Sequence, residues 1–344
     1  MLIDTTLGAL ETAAAAAQAA EAGGYDGAFT GEVSGDPFLP LALAAASTER
    51  ITLGTSIAVA FARSPMLAAY TAWDLQRLSR GRLMLGLGSQ VRAHVTRRFS
   101  MPWDRPAERM REFVLALRAV WESWSTGEPL CFEGQHYQHT LMPPAFRPAP
   151  QPYGAPAVLV AGVGDAMTRV AAEVGDGFLC HAFTTERWIR EHTLPALLDG
   201  RRNAGQTMAG FTVKAAMFLA TGTGREMDAA VGQIRQAIAF YASTPAYRPV
   251  LDLHGWGGAG DELTRLSRQG RWAEMSRLID DDMLNAFAIV APPGQLPARL
   301  AERCAGVIDR VSFLPKDPPG AALAALAALR PGAREPAASE IVGK

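Results

Sequence analysis

The chain of 344 residues is 49% apolar and carries a formal net charge of −1. That much apolar material can build a sizeable core without forcing a second domain. Near-neutrality excludes a general nucleic-acid binder, which needs an excess of Lys and Arg to neutralise phosphates, and points to a small-molecule partner. Cys131, Cys180 and Cys304 lack metal or redox spacing and read as reduced thiols of a cytoplasmic protein, and no run approaches the roughly 20 consecutive apolar residues of a membrane span.

In chain order, apolar runs predict strands near 2–4, 25–30, 51–59, 83–87, 156–161, 177–182, 211–219 and 307–314. The alanine run from Ala13 to Ala20 reads as a helix of strong formers; no Lys or Arg precedes Arg50, so the basic start of a signal sequence is missing. A junction then recurs four times: a helix-like stretch, a glycine at its end (Gly23, Gly81, Gly175, Gly306), a short turn and an apolar run. Helices that repeatedly feed apolar strands imply a buried parallel sheet, and eight strands in that alternation predict an α/β protein with a (β/α)8 TIM barrel.

Two segments end a strand with Gly-x-Gly and open a helix: Gly86-Leu87-Gly88-Ser89 and Gly162-Val163-Gly164-Asp165. Glycine admits a ligand close to the backbone, and the free amides of a helix start attract phosphate. Neither is a dinucleotide fingerprint, because Val91 and Met167 stand where its third glycine belongs. Both fall at the C-terminal face, where a barrel of this type builds its active site.

Two stretches exceed ordinary loops. After the fourth strand, residues 101–156 hold a helix with Met110, Phe113, Val114, Leu117, Trp121 and Trp124 at helical spacing, then a Pro-rich passage expected to shield the barrel mouth. After the seventh strand, residues 224–300 predict a helical insertion acting as a lid. Residues 1–315 are expected to form one domain, and the Ala-, Pro- and Gly-rich tail 316–344 to be partly disordered.

On these segments, together with Gly27 to Glu32, Asp36-Pro37-Phe38-Leu39-Pro40, Leu53-Gly54-Thr55-Ser56-Ile57 and Leu78-Ser79-Arg80-Gly81-Arg82, the chain resembles the luciferase-like flavin and deazaflavin oxidoreductases, and among them the coenzyme F420-dependent subgroup. The resemblance implies hydride transfer between the deazaflavin C5 and a small organic substrate at the barrel mouth. It implies that the ring lies against a bulge at Thr55, Ser56 and Ile57 containing a non-proline cis peptide at Ser56-Ile57. By the same resemblance, Gly86, Gly88, Ser89, Gln90 and His94 line one side of the cofactor's ribityl and phosphate, and Gly162, Val163 and Gly164 donate amides on the other. Arg92, Arg97 and Arg98 suit the oligoglutamate tail, or else form a solvated helix face. A homodimer is also implied.

Related deazaflavin enzymes place a histidine beside an acidic residue after the second strand and a glutamate in the phosphate turn. Here Val33 follows Glu32, and Gln90 and Val91 occupy the turn, which argues against a sugar-phosphate dehydrogenase. Glu32 is the candidate catalytic acid or base, its alternative being a loop carboxylate. His181 is the second catalytic candidate, its alternative a core histidine held by backbone. His136 and His139 lack a clustered third ligand, so no metal site is assigned. Phe61, Trp73 and Trp103 are candidate walls of the mouth. Two alternatives remain open: an FMN-dependent monooxygenase using O2, and a non-catalytic flavin-binding barrel.

Overall fold

The computed structural model describes residues 1–315, 317–318 and 320–329. Its barrel strands are β1 (Leu2–Thr6), β2 (Gly27–Thr30), β3 (Thr52–Thr55), β4 (Leu83–Gly88), β5 (Ala157–Gly162), β6 (Gly177–Cys180), β7 (Thr212–Ala220) and β8 (Arg310–Leu314). Each pairs in parallel with the next. β8 returns to β1 through Leu2↔Arg310 and Ile3↔Val311, which closes the predicted (β/α)8 barrel. After an interruption, Ala58–Val59 continues the third stave against Leu87 and Gly88.

Of the four junction glycines, Gly81 and Gly306 take the left-handed region; at the first junction Gly23 stays right-handed and its neighbour Gly24 takes the left-handed region. Gly175 is extended instead. A Cβ there would lie 2.6 Å from the Ala171 carbonyl oxygen, so this position needs glycine for space.

The barrel floor is charged. Asp4, Lys214 and Arg310 are buried together, Asp4 Oδ1 and Oδ2 accepting from Arg310 at 2.6 and 3.1 Å and Oδ2 lying 3.1 Å from Lys214 Nζ. The Lys214 ammonium also sits 4.4 Å from the Phe29 ring centre. Because β2 and β7 are not neighbours, that contact crosses the barrel interior.

The two long connections take different courses. The helix Pro106–Thr126 covers the barrel as expected, but the Pro-rich passage does not shield the mouth. It runs along the helix Pro65–Leu78: Tyr70 Oη donates to the Phe146 carbonyl at 2.6 Å, Trp73 Nε1 to Ala149 at 3.3 Å and Gln76 Nε2 to Tyr153 at 3.4 Å. The reason is topological, since a helix leaving the mouth ends at the opposite face, where β5 must begin.

The insertion comprises the helices Arg225–Ala242, Arg248–Leu253, Gly257–Arg268, Trp272–Met275 and Asp281–Phe287. Ile234, Ile238, Leu251, Leu263, Met283 and Phe287 form its own apolar core, joined to Phe183 after β6 and Phe218 of β7. The strand Ala288–Val290 then pairs with Phe218–Ala220, so the insertion leaves β7 and comes back to it. The helix Leu296–Cys304, inside the expected insertion, is an ordinary crossover to β8.

Part of the expected tail is structured. Gly320–Leu326 is helical, with Leu323 and Leu326 in the barrel core, and residues 330–344 lie outside the described residues. Apolar side chains at helical spacing give this Ala-rich stretch a face to bury, which its composition concealed.

Candidate active site

β3 ends at Thr55, and the next bond, Ser56–Ile57, is the expected non-proline cis peptide. The segment after β2 holds the bulge on both sides. Ser56 N–H donates to the Thr30 carbonyl at 2.6 Å, and Glu32 N–H donates to the Ile57 carbonyl at 3.0 Å. The Glu32 carboxylate, 8% exposed, accepts from Val59 N–H at 2.7 Å and from the Arg63 guanidinium at 2.5 and 3.1 Å. Both of its oxygens are therefore engaged by the segment that follows the bulge, an arrangement that holds that segment in place. Ser56 is exposed and Ile57 half-buried.

The glycine turns differ from each other. Gly86 and Gly88 lie inside β4. A Cβ on Gly86 would sit 1.9 Å from the Thr55 carbonyl oxygen, and Thr55 Oγ1 donates to the Gly86 carbonyl at 2.6 Å. A Cβ on Gly88 would sit 2.9 Å from Ile57 Cδ1. These glycines let β3 and its bulge approach β4, so they act on the bulge from behind. Gln90, in the left-handed region at φ 62°, folds its side-chain oxygen onto Val91 N–H at 3.0 Å, while Ser89 Oγ donates to the Gln90 carbonyl at 3.0 Å. The Ser89 hydroxyl and the Gln90 side-chain oxygen are thus satisfied within the first turn. His94, Arg92 and Arg97 are exposed on the helix Arg92–Arg97, and Arg98 reaches across to donate to the Val33 carbonyl at 2.6 Å.

The second turn is open. Gly164 precedes the helix Asp165–Val174, no side chain caps that helix start, and a Cβ on Gly164 would meet nothing within 4 Å. Amides with no partner at a helix start suit a phosphate. The same turn shares a cleft with His181: Gly162, Val163, Phe178, His181, Phe183 and Trp188 line it.

His181 follows β6 and is partnered on both nitrogens. Phe183 N–H donates to Nδ1 at 3.0 Å, so the neutral ring carries its proton on Nε2, 3.1 Å from Tyr247 Oη. Its ring stacks on Tyr247 at 4.6 Å and meets the edge of Tyr241 at 4.9 Å. Burial alone pushes the imidazole down to about 4, and burial followed by the neighbouring Tyr241 pushes the Tyr247 phenol up to about 12. Both stay neutral across the physiological range.

The fold thus brings together Thr55, Ser56, Ile57, Gly86, Gly88 and Glu32 at the bulge, and Gly162, Val163, Gly164 and His181 at the cleft. Trp73 does not wall the mouth: it is buried beside Trp124 at 5.6 Å, on the outer side of the barrel. Phe61 and Trp103 pack together at 5.7 Å with the Arg109 guanidinium 4.7 Å from the Phe61 ring centre. Sequence reasoning missed Arg63, Tyr241 and Tyr247. Tyr241 and Tyr247 belong to the insertion, and no local pattern links them to a histidine 66 residues before Tyr247.

A family model described as luciferase-like monooxygenase matches residues 3–310. An uncharacterised Mycobacterium tuberculosis protein is 54% identical over 303 residues, 88% of this chain and 89% of that one. Another M. tuberculosis protein, provisionally named a coenzyme F420-dependent oxidoreductase, is 30% identical over 293 residues, 79% of this chain and 81% of that one. Among solved structures, the coenzyme F420-dependent tetrahydromethanopterin reductase of Methanopyrus kandleri superposes with a TM-score of 0.77 at 20% identity, covering 94% of this chain and 96% of that one. Barrel, bulge and family match agree, and the chain belongs to the luciferase-like monooxygenase family, with relatives that include coenzyme F420-dependent oxidoreductases.

Proposed function

We propose that this protein is a coenzyme F420-dependent oxidoreductase acting on a small organic substrate at the C-terminal mouth of the barrel. The observation that carries the reading is the Ser56–Ile57 bulge, clamped by Thr30, Glu32 and Arg63 and backed by Gly86 and Gly88. In a chain of this family, a backbone ledge so held at the end of a barrel strand supports a seat for a planar tricyclic ring, and the uncapped helix start at Gly164 suits its phosphate. The relative named for coenzyme F420 supports deazaflavin over flavin. When bound, the deazaflavin supplies hydride chemistry at C5.

The chain's own residues do the rest. Glu32 and Arg63 hold the ledge, Gly162 to Gly164 offer amides, and the insertion covers the side of the mouth above β6 and β7. We further propose a homodimer, to which the exposed Leu39 and Leu43 on the helix Phe38–Ser47 contribute apolar contact; light scattering on the purified protein tests it.

Side-by-side titration of the purified protein with coenzyme F420 and FMN, followed by fluorescence at matched salt, tests the main reading. Tighter binding of coenzyme F420 is expected. Tighter FMN binding, with oxygen uptake on reduction, would move the protein to the monooxygenase side of its family, and absence of binding by both would refute either enzyme.

A further inference from the structure

We infer that the Tyr247 hydroxyl, oriented by His181, is the hydrogen-bond donor for the oxygen of a neutral, apolar-bodied carbonyl substrate. This inference rests on the proposed oxidoreductase reading for the location of the substrate. Its warrant lies in the side chains themselves.

The direction of the hydrogen bonds is fixed from the barrel outward. Phe183 N–H occupies Nδ1 of His181 at 3.0 Å, which leaves the ring proton on Nε2 to point at Tyr247 Oη, 3.1 Å away. Tyr247 therefore accepts from His181, and its own proton is free to donate. Among the described residues no carboxylate or carbonyl takes that proton, and the phenol is half-buried rather than bathed in water. A half-buried donor whose partner is aimed for it by a second side chain is suited to a ligand acceptor.

The surrounding wall defines the class of ligand. Tyr241 stands 6.1 Å from Tyr247 and both rings are half-buried, while Phe183, 5.6 Å from Tyr247, and Phe287, stacked on Phe183 at 4.3 Å, are fully buried behind them. This wall is aromatic and carries no charge. The guanidinium beside it in sequence, Arg248, is paired with Asp252 and Asp261, and Arg235 of the same insertion is paired with Asp281. A phosphate or carboxylate placed here would lose its hydration without finding a cation. A ketone or aldehyde with an apolar body would bury that body against the rings and give its oxygen to Tyr247.

Acetophenone, ethylbenzene and benzoate serve as probes of similar size, titrated by ligand-observed NMR against the protein with and without coenzyme F420. Acetophenone is expected to bind about tenfold more tightly than ethylbenzene, the value of one donated hydrogen bond, with benzoate weakest. Tyr247→Phe, which keeps the ring, is expected to erase the difference between acetophenone and ethylbenzene while leaving coenzyme F420 affinity unchanged, with a lower melting temperature because His181 Nε2–H loses its acceptor. Equal binding of acetophenone and ethylbenzene by the unaltered protein, preferred binding of benzoate, or a Tyr247→Phe variant that retains the preference would each overturn the inference. The arm without cofactor separates the two ideas: failure to bind coenzyme F420 counts against the proposed activity alone, whereas loss of the oxygen preference counts against Tyr247.

Discussion

At the scale of single residues, the same side-chain type serves different ends depending on what the backbone places opposite it. Gly86 and Gly88 look like a ligand cradle in sequence, yet the atoms that need their missing side chains belong to Thr55 and Ile57. Gly86→Ala is expected to unsettle the pairing of β3 and β4 and lower the melting temperature sharply, with a loss on the order of 3 kcal/mol in denaturant titration. Gly88→Val should instead push Ile57 into the mouth and weaken coenzyme F420 binding at least tenfold in a fluorescence titration, with the fold retained by circular dichroism. His181 makes a pH prediction. Its folded value lies near 4 against an ordinary 6.5, because burial disfavours the cation, and the groups facing it are Phe183 N–H and the phenols of Tyr241 and Tyr247. The unfolded chain therefore binds more protons between those values, so the stability this neutral ring contributes is complete above about 6.5 and is lost as pH falls toward 4. Melting curves from pH 4 to 8 are expected to slope less in His181→Gln than in the unaltered protein.

At the scale of elements, the bulge and the segment that follows β2 form one unit. Glu32 gives that unit two backbone bonds and an ion pair, so Glu32→Gln and Arg63→Met are expected to behave alike: each lowers the melting temperature and weakens cofactor binding, by roughly 3 kcal/mol of stability when one partner is left uncompensated in a nearly buried site. A carboxylate that acts only as acid or base would give a different pattern, with turnover lost in Glu32→Gln and stability unchanged in both variants. The strands were legible because apolar runs and glycine junctions are local in sequence, whereas the bulge entered only through the family resemblance, the Leu53-to-Ile57 segment by itself reading as a regular buried strand. The clamp was not legible, since it needs Arg63 to fold back over Glu32, 31 residues away. For the same reason the helix start at Gly164 could be read from its own residues, whereas its partner across the cleft, His181 with Tyr247, emerges only when the insertion packs down.

At the scale of the whole molecule, the main apolar core includes a segment whose composition suggests disorder. Leu326 is fully buried and Leu323 nearly so, both in the main apolar core, on a helix that packs against the helix Leu296–Cys304. Leu326→Ala is expected to cost about 2–5 kcal/mol in chemical denaturation; a disordered tail would show no change. Alternating strand and helix gave away the barrel, but the route of a long connection depends on which face its ends must reach. That is why the Pro-rich passage lies along the helix Pro65–Leu78 instead of over the mouth.

The insertion departs from β7 and its last strand, Ala288–Val290, pairs again with Phe218–Ala220 before the chain resumes the ordinary crossover. Its two attachment points are thus side by side on one stave, with an apolar core between them that it shares with Phe183 and Phe218 of the barrel. Such an arrangement makes the segment an exchangeable cartridge: replacing residues 225–287 with the equivalent stretch of another barrel would transplant the walls facing His181 while Glu32, Ser56 and Gly164 stayed in register. On the proposed function, selectivity for substrate would then be carried mainly by the insertion and affinity for cofactor by the barrel, with Phe183 and Phe218 as the joint at which an exchanged segment must still pack.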